Sequence, residues 1–159
     1  MLNLLLVSNM YPSESHPSYG TFVKNFEDSL IENGFIIDKV VIKGRGTTLF
    51  KKILKYLLFF KDLKEKIKKE KYDLVYVHYI SNSLLPFLII TPPKKLKLVI
   101  NAHGSDVFPK ELIGNIVLFL TKRIIRNADL VVVPSNYFKS IVEKMLGDKK
   151  EDVFVKNNF

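Results

Sequence analysis

The sequence predicts an α/β protein with a single Rossmann-like, doubly wound parallel sheet and helices on both faces. Short runs rich in valine, leucine and isoleucine recur along the 159 residues, and such runs are typical of buried parallel strands. Longer segments with apolar residues at helical spacing alternate with them. Right-handed crossovers then give the doubly wound arrangement. A helical bundle is the weaker alternative, because the apolar runs are too short to be helices.

Each element follows from a local signal. Thr21 is expected to cap the first helix, Gly34 to end it, and Ser135 to cap the last helix. Pro92 and Pro93 end a short helix in the middle of the chain. The predicted strands are residues 2–7, 35–42, 73–78, 96–101, 130–133 and 153–155, and the predicted helices are residues 21–33, 49–69, 82–90, 111–126 and 136–146.

Composition narrows the class of protein. The net charge is +9 and the hydrophobic content is 47%, which indicates a folded, basic domain. Because cysteine is absent, disulfides, thiolate metal sites and a cysteine nucleophile are excluded. No secretory signal and no membrane span are expected, since no apolar stretch approaches the ~20 residues that a span needs. We therefore expect a cytoplasmic chain.

Candidate ligand-binding residues follow the strands. In an open α/β sheet, ligands bind beyond the carboxyl ends of the strands, so we expect the polar residues there to meet at one edge. They are Asn9, Tyr19 and Gly20 after the first strand, His103, Gly104 and Asp106 after the fourth, and Ser135 and Asn136 after the fifth.

His103 is the most informative of these residues. A histidine at this position can exchange a hydrogen bond with a ligand hydroxyl near neutral pH, and Gly104 leaves space beside it. Asp106 could orient the ring or cap a turn, and an ordinary loop histidine is an equally good interpretation. For His78, a strand-end histidine bonded to backbone is favoured. Gly20 either lets a ligand approach a helix N-terminus or forms a tight turn.

Several catalytic and cofactor motifs are absent from the sequence. No G-x-G-x-x-G follows the first strand, and neither a P-loop nor a G-x-S-x-G elbow occurs. Neither H-E-x-x-H nor D-x-D occurs, so no metal and no resident cofactor is expected. A small Rossmann-like enzyme acting alone therefore has little support.

The segment at residues 49–71, which contains the predicted helix at 49–69, is strongly basic. From Lys51 to Lys71 there are nine lysines against three acidic residues, so six of the nine net positive charges lie there. Such a helix can lie on an anionic membrane surface, or it can pack on the core with its lysines in water. Nucleic acid is disfavoured, since base-reading residues and an aromatic platform are lacking. The expected membrane-docking residues are Lys51, Lys52, Lys55, Phe59 and Lys61.

Two further segments resemble a known family. The run NAHGSD at residues 101–106 and the run NADLVVVPS at residues 127–135 follow Tyr11-Pro12 and the Gly20-Thr21-Phe22-Val23 loop in the family's order. Over its whole length the chain resembles the N-terminal domain of retaining GT-B glycosyltransferases of the family-four type. The sequence departs from the family at Tyr19, where many members have a second glycine.

The resemblance implies a function. Such enzymes transfer a sugar from a nucleotide-sugar to a glycan or lipid-linked acceptor with retention and without a metal. It implies that residues 1–159 form the acceptor-side domain, that the Gly20 loop lies at the cleft, and that His103 lies beside the reacting sugar. Many members dock on membranes through a basic N-domain surface, which fits peripheral attachment through residues 49–71.

The resemblance also implies a missing domain. The hinge is expected to begin near residue 156, where Lys156 and Asn158 replace the family's proline and glycine. The C-terminal donor-binding domain would be supplied in cis or in trans, so the isolated chain is expected to be inactive. The alternative is a non-catalytic α/β binding module that docks to an anionic membrane or a partner protein through residues 49–71.

Overall fold

The computed structural model describes residues 2–69, 71–80, 82–108, 110–147 and 153–155. The strands are β1 (Asn3–Tyr11), β2 (Ile36–Lys43), β3 (Leu74–His78), β4 (Lys97–Asn101), β5 (Leu130–Val133) and β6 (Val153–Val155). The helices are α1 (Thr21–Glu32), α2 (Leu49–Lys68), α3 (Leu112–Asn127) and α4 (Asn136–Leu146), and a 3₁₀ helix spans Asn82–Leu88.

The six strands form one sheet in the order β2-β1-β3-β4-β5-β6. The pairs β1–β2, β4–β5 and β5–β6 are parallel. The predicted fold class, an α/β Rossmann-like sheet, is therefore confirmed. The chain divides into two compact units: unit 1 comprises Met1–Val75 and Pro92–Leu96, and unit 2 comprises Tyr76–Thr91 and Lys97–Phe159.

Unit 1 is built around β1. Residues 4–7 of this strand are at most 1% exposed, because a central parallel strand is covered on both faces. The strand runs on to Tyr11, which corrects the prediction that it ends at residue 7. A register shift between Ser8 and Tyr11 lets the pairing with β2 resume at Lys43, as a β-bulge allows. The polar pair Ser8-Asn9 therefore interrupts the apolar pattern of β1, while the strand itself continues past the pair to Tyr11.

Two further predictions in unit 1 needed correction. Thr21 does not cap α1: Gly20 is the N-cap, and the Thr21 hydroxyl donates to the carbonyl oxygen of Ser18. On α2, the buried residues are Phe59, Leu63 and Ile67. Phe59 is only 3% exposed, so it is a core residue, and its prediction as a membrane-docking side chain was wrong.

Ion pairs attach α2 and the segment just after it to β2 within unit 1. Lys66 lies 2.7 Å from the Asp38 carboxylate, and Lys71 lies 3.2 Å from it. The Tyr72 hydroxyl donates to the same carboxylate at 2.6 Å. Burial alone would raise the pKa of Asp38, but these three donors outweigh it and hold the pKa well below its usual range.

Unit 2 contains the end of β3, the 3₁₀ helix and the elements from β4 onward. In this unit β5, α4 and β6 have the bounds that the sequence predicts. The side chain of Ser135 caps α4 by accepting from the backbone N–H of Phe138, as expected. The predicted helix at 82–90 is instead a 3₁₀ helix ending at Leu88, because Pro86 within it has no N–H to donate. Among the described residues, no helix is long and apolar enough to cross a membrane.

Candidate functional site

The loop after β4 is held in place by Asp106. This side chain is 5% exposed, and its two oxygens accept from the backbone N–H groups of His103 and Ile80, each at 2.9 Å. Burial raises the pKa of Asp106, although these backbone donors oppose the rise. Asp106 therefore fixes the backbone of the His103 loop and does not orient the His103 ring.

His78 contacts the His103 ring. Nδ1 of His78 lies 3.0 Å from Nε2 of His103, and the two ring planes are inclined by only 28°. His78 is 1% exposed at the end of β3. The sequence favoured a backbone partner for His78. Only the fold, which places residues 25 positions apart side by side, reveals this pairing of side chains.

Tyr79 has a backbone conformation that is rare for its residue type. Its φ is +68°, in the left-handed region, which costs a non-glycine residue of the order of 1 kcal/mol and is common at functional sites. Its backbone N–H donates to the Asn101 carbonyl at 3.0 Å. Its ring lies 4.7 Å from that of His103. No signal in the sequence distinguishes this tyrosine, so sequence analysis missed it.

Gly104 is required by packing in unit 2. Its φ is +91°, and a β-carbon there would lie 2.7 Å from Cζ of Phe138, the third residue of α4. The absence of a side chain at Gly104 therefore lets the Phe138 ring pack against the His103 loop. Of the other two candidates in this unit, Ser135 is occupied as the cap of α4 and Asn136 is exposed at its first turn.

The candidate residues of unit 1 lie around the end of β1. Gly20 has a φ of +78°, and a β-carbon there would lie 2.7 Å from the carbonyl carbon of Met10. The Asn9 amide donates to the Tyr56 hydroxyl of α2 at 3.3 Å. The guanidinium of Arg45 lies 5.2 Å from the centre of the Tyr19 ring, and burial raises the pKa of Tyr19. The prediction that these residues share one edge with the His103 loop stays a prediction.

The first half of α2 presents apolar side chains to solvent. They are Leu49, Phe50, Ile53, Leu54, Leu57 and Leu58, each at least 45% exposed. Lys51, Lys52 and Lys61 are exposed beside them. Lys55 is half-buried and donates to the backbone carbonyls of Lys43 and Gly44. We call this surface, from Leu49 to Lys61, the α2 surface.

A second exposed apolar face lies on α3, and sequence analysis missed it. Its members are Leu112, Ile113, Ile116, Phe119 and Leu120, of which Phe119 is 77% exposed. The core side of the same helix is formed by Val117, Thr121 and Ile125. The sequence signal that could have revealed this face is that α3 carries apolar residues around its whole circumference. Lys122 and Arg123 follow the face, and from Leu112 to Asn127 there is no acidic residue.

Within the described part of the chain, no group of three or more His, Cys, Asp or Glu side chains could hold a metal ion. At the His103 loop, the imidazole can form hydrogen bonds and transfer protons.

The sequence profile of the family described as Glycosyltransferase Family 4 matches residues 19–159. No curated protein sequence matches the chain. Among solved structures, sucrose-phosphate synthase from Thermosynechococcus elongatus is similar, with a TM-score of 0.67 and 14% identity over 98% of this chain and 47% of its own. UDP-GlcNAc 2-epimerase from Methanocaldococcus jannaschii is also similar, with a TM-score of 0.62 and 16% identity over 99% of this chain and 46% of its own. The chain thus spans about half the length of these proteins.

Proposed function

Because the chain belongs to glycosyltransferase family 4, we propose that it is the acceptor-side half of an enzyme that transfers a sugar from a nucleotide-sugar to a glycan or lipid-linked acceptor with retention. The observation that carries the proposal is the family match, which includes the His103 loop. The loop supports it because Asp106 and Gly104 hold His103 by specific backbone and packing contacts.

His103 is the proposed catalytic residue of this half. Its half-buried imidazole lies in the loop that follows β4, where it can contact a hydroxyl of the reacting sugar. A hydrogen bond to a hydroxyl that strengthens in the transition state lowers the barrier to reaction. Ser135 and Asn136 at the start of α4, and Tyr19, Gly20 and Asn9 in unit 1, are the proposed substrate-binding positions.

A second domain is part of the proposal. Similar structures are about twice as long, and a half-site cannot hold two reactants in reacting geometry. The donor-binding domain is therefore supplied in cis or in trans, and residues 1–159 alone are inactive. The nucleotide-sugar is a substrate of the complete enzyme, and the mechanism uses no metal.

An immunoblot of source-cell lysate with an antibody to residues 1–159 tests how the second domain is supplied. A band near twice 18.4 kDa would place the donor domain in the same polypeptide. A band at 18.4 kDa would direct the search to a separate donor-binding chain that co-purifies with this one. Turnover of a nucleotide-sugar by residues 1–159 alone would overturn the need for a second domain.

A second candidate function, docking to an anionic membrane, is favoured by the exposed apolar side chains of the α2 surface. Single exposed apolar residues are ordinary in proteins, but a contiguous apolar face rimmed by lysines is typical of interfacial helices. Docking is compatible with transfer to a lipid-linked acceptor, and it would also suit a non-catalytic module. Membrane binding without sugar transfer by any complete form of the protein would favour the module.

A further inference from the structure

We propose that His78 is a positioning residue, which sets the ring orientation and the tautomer of His103 for the transfer reaction. The inference rests on the proposed function for its catalytic consequence. The pairing itself is a property of the fold and can be tested without any substrate.

The two rings meet edge to edge. Their centroids are 5.2 Å apart while the facing nitrogens are only 3.0 Å apart. This combination arises when each nitrogen lies on the rim of its ring, between the two centroids. Because both nitrogens lie near the line between the centroids, the N–H and the accepting lone pair point along that line, which is the geometry of a hydrogen bond. The interplanar angle of 28° is a small twist of one ring against the other.

Both partners are anchored. His78 is the last residue of β3, is 1% exposed, and has the Tyr76 ring 5.1 Å from its own. The backbone of His103 is held by Asp106 at 2.9 Å, and the Tyr79 ring packs 4.7 Å from the imidazole. Because neither side chain can turn without losing these contacts, the bond between them fixes the plane of the His103 ring.

The bond also controls the protons of His103. An N···N hydrogen bond holds one proton, so one nitrogen donates and the other accepts. If His78 donates from Nδ1, neutral His103 must carry its own proton on Nδ1. If His103 donates from Nε2, its Nδ1 is an acceptor. The tautomer of His78 therefore decides which hydrogen bond Nδ1 of His103 can make with a substrate hydroxyl.

Orientation of a histidine by a partner is effective because the ring is already in place when substrate binds. The free-energy cost of ordering the side chain is met in folding and does not enter the barrier to reaction. Removing the orienting partner of a metal-ligating histidine typically lowers activity about 10–100-fold, and we expect a comparable effect for the partner of His103. His78 thus has the role that sequence analysis considered for Asp106.

The spectroscopic test uses the 159-residue chain labelled with ¹⁵N. Long-range ¹H–¹⁵N spectra report the tautomer of each neutral imidazole. We expect a single tautomer for His103 in the unmodified chain. An averaged mixture of tautomers for His103 in the unmodified, folded chain would overturn the proposal, and this result requires no variant to fold.

Two matched variants separate the hydrogen bond from the packing. In His78→Asn an amide atom stands near the position of Nδ1, so the single tautomer of His103 should persist. In His78→Leu the volume is filled but the bond is lost, and the tautomers should mix. If His103 in a folded His78→Leu chain kept its single tautomer, His78 would not be the positioning group.

Activity of the complete enzyme completes the test. We expect His78→Leu to lower kcat about tenfold or more with a small change in KM, and His78→Asn to restore most of kcat. A single tautomer in a protein without transfer activity would leave the positioning role intact and refute the proposed function. Mixed tautomers of His103 in an enzyme that does transfer sugar would refute the positioning role of His78 and leave the proposed function intact.

Discussion

The α-carbon of Gly20 lies against the carbonyl group of Met10, so that a β-carbon on Gly20 would be 2.7 Å from the carbonyl carbon and 2.8 Å from the oxygen. This contact joins the end of β1 to the N-cap residue of α1. It explains the glycine by backbone packing, which is the tight-turn interpretation, and it fixes where α1 begins beside the proposed substrate-binding residue Tyr19.

Gly20→Ala should therefore be strongly destabilising. Both the φ of +78° and the backbone contact oppose a side chain there, and we expect a loss of about 2–4 kcal/mol in the free energy of unfolding. Gly34→Ala is the matched control, because Gly34 has a similar φ of +83° with nothing within 4 Å of a β-carbon. Gly34→Ala should lower the free energy of unfolding by only about 1 kcal/mol. Urea denaturation measures both, and equal losses would show that the contact with Met10 is unimportant.

Asp38→Asn should lower stability at neutral pH and change its pH dependence. The lowered pKa of Asp38 means that the native state binds fewer protons than the unfolded state as the pH falls through the unfolded value of ~4. The contribution of Asp38 is thus complete above that pH and is lost as the pH falls toward the native pKa. We expect a loss of about 1–2 kcal/mol at pH 7, shrinking under acid conditions.

Thermal unfolding from pH 7 down to pH 2 measures the Asp38 effect. Asp28→Asn is the control, since Asp28 pairs with Lys24 only on the exposed face of α1, where such pairs contribute little. A difference between wild type and Asp38→Asn that stayed constant over the whole pH range would contradict the assignment to the carboxylate charge.

Vesicle sedimentation tests the α2 surface. We expect the chain to pellet with phosphatidylglycerol-containing vesicles and not with phosphatidylcholine alone. Lys51→Glu with Lys52→Glu should weaken binding about thirtyfold or more, since each basic residue near an anionic surface contributes about 1 kcal/mol. Leu57→Ser with Leu58→Ser should weaken it without changing the charge.

The control for vesicle binding is Lys94→Glu with Lys144→Glu, which makes the same change of charge at exposed residues outside α2 and α3. Equal weakening by the control would mean that net charge alone causes the binding. Weakening by Lys122→Glu with Arg123→Glu, and not by the α2 variants, would assign docking to the apolar face of α3.

His103→Ala should lower turnover of the complete enzyme about a hundredfold, within the range of a positioned acid–base group. The chain should stay folded with a modestly lower melting temperature, because buried His78 loses its hydrogen bond to the His103 ring. The fold should tolerate it because the bond that anchors the loop to Asp106 comes from the His103 backbone. The comparison of kcat with thermal unfolding separates the two effects. Unchanged turnover would show that His103 is an ordinary loop residue without a catalytic role.

Local signals were sufficient for much of the fold. The bounds of β5, α4 and β6 match because apolar runs and the Ser135 cap act within a few residues of the chain. The end of β1 was missed because its last pairs depend on β2, across a register shift that no local pattern encodes.

Long-range packing determines the features that the sequence did not predict, namely which side chains of α2 are buried and which residue contacts His103. On α2 the apolar residues cover most of the circumference, so periodicity could not tell that Phe59 faces the core while Leu57 and Leu58 face solvent. The sequence identified His103 from its place after a strand. It could not identify His78 as its partner, because that contact exists only once β3 and β4 end near each other in unit 2.

Release of nucleoside diphosphate from nucleotide-sugars tests the central claim most directly. The native polypeptide that carries residues 1–159 would be purified from its source cells with any bound partner. It would be assayed with UDP-, GDP- and ADP-sugars and with source-cell glycans and lipids as acceptors. We predict acceptor-dependent release from at least one donor, and none from residues 1–159 alone. No release from any donor by the native protein, or equal release by residues 1–159 alone, would contradict the assignment as the acceptor-side half of a glycosyltransferase.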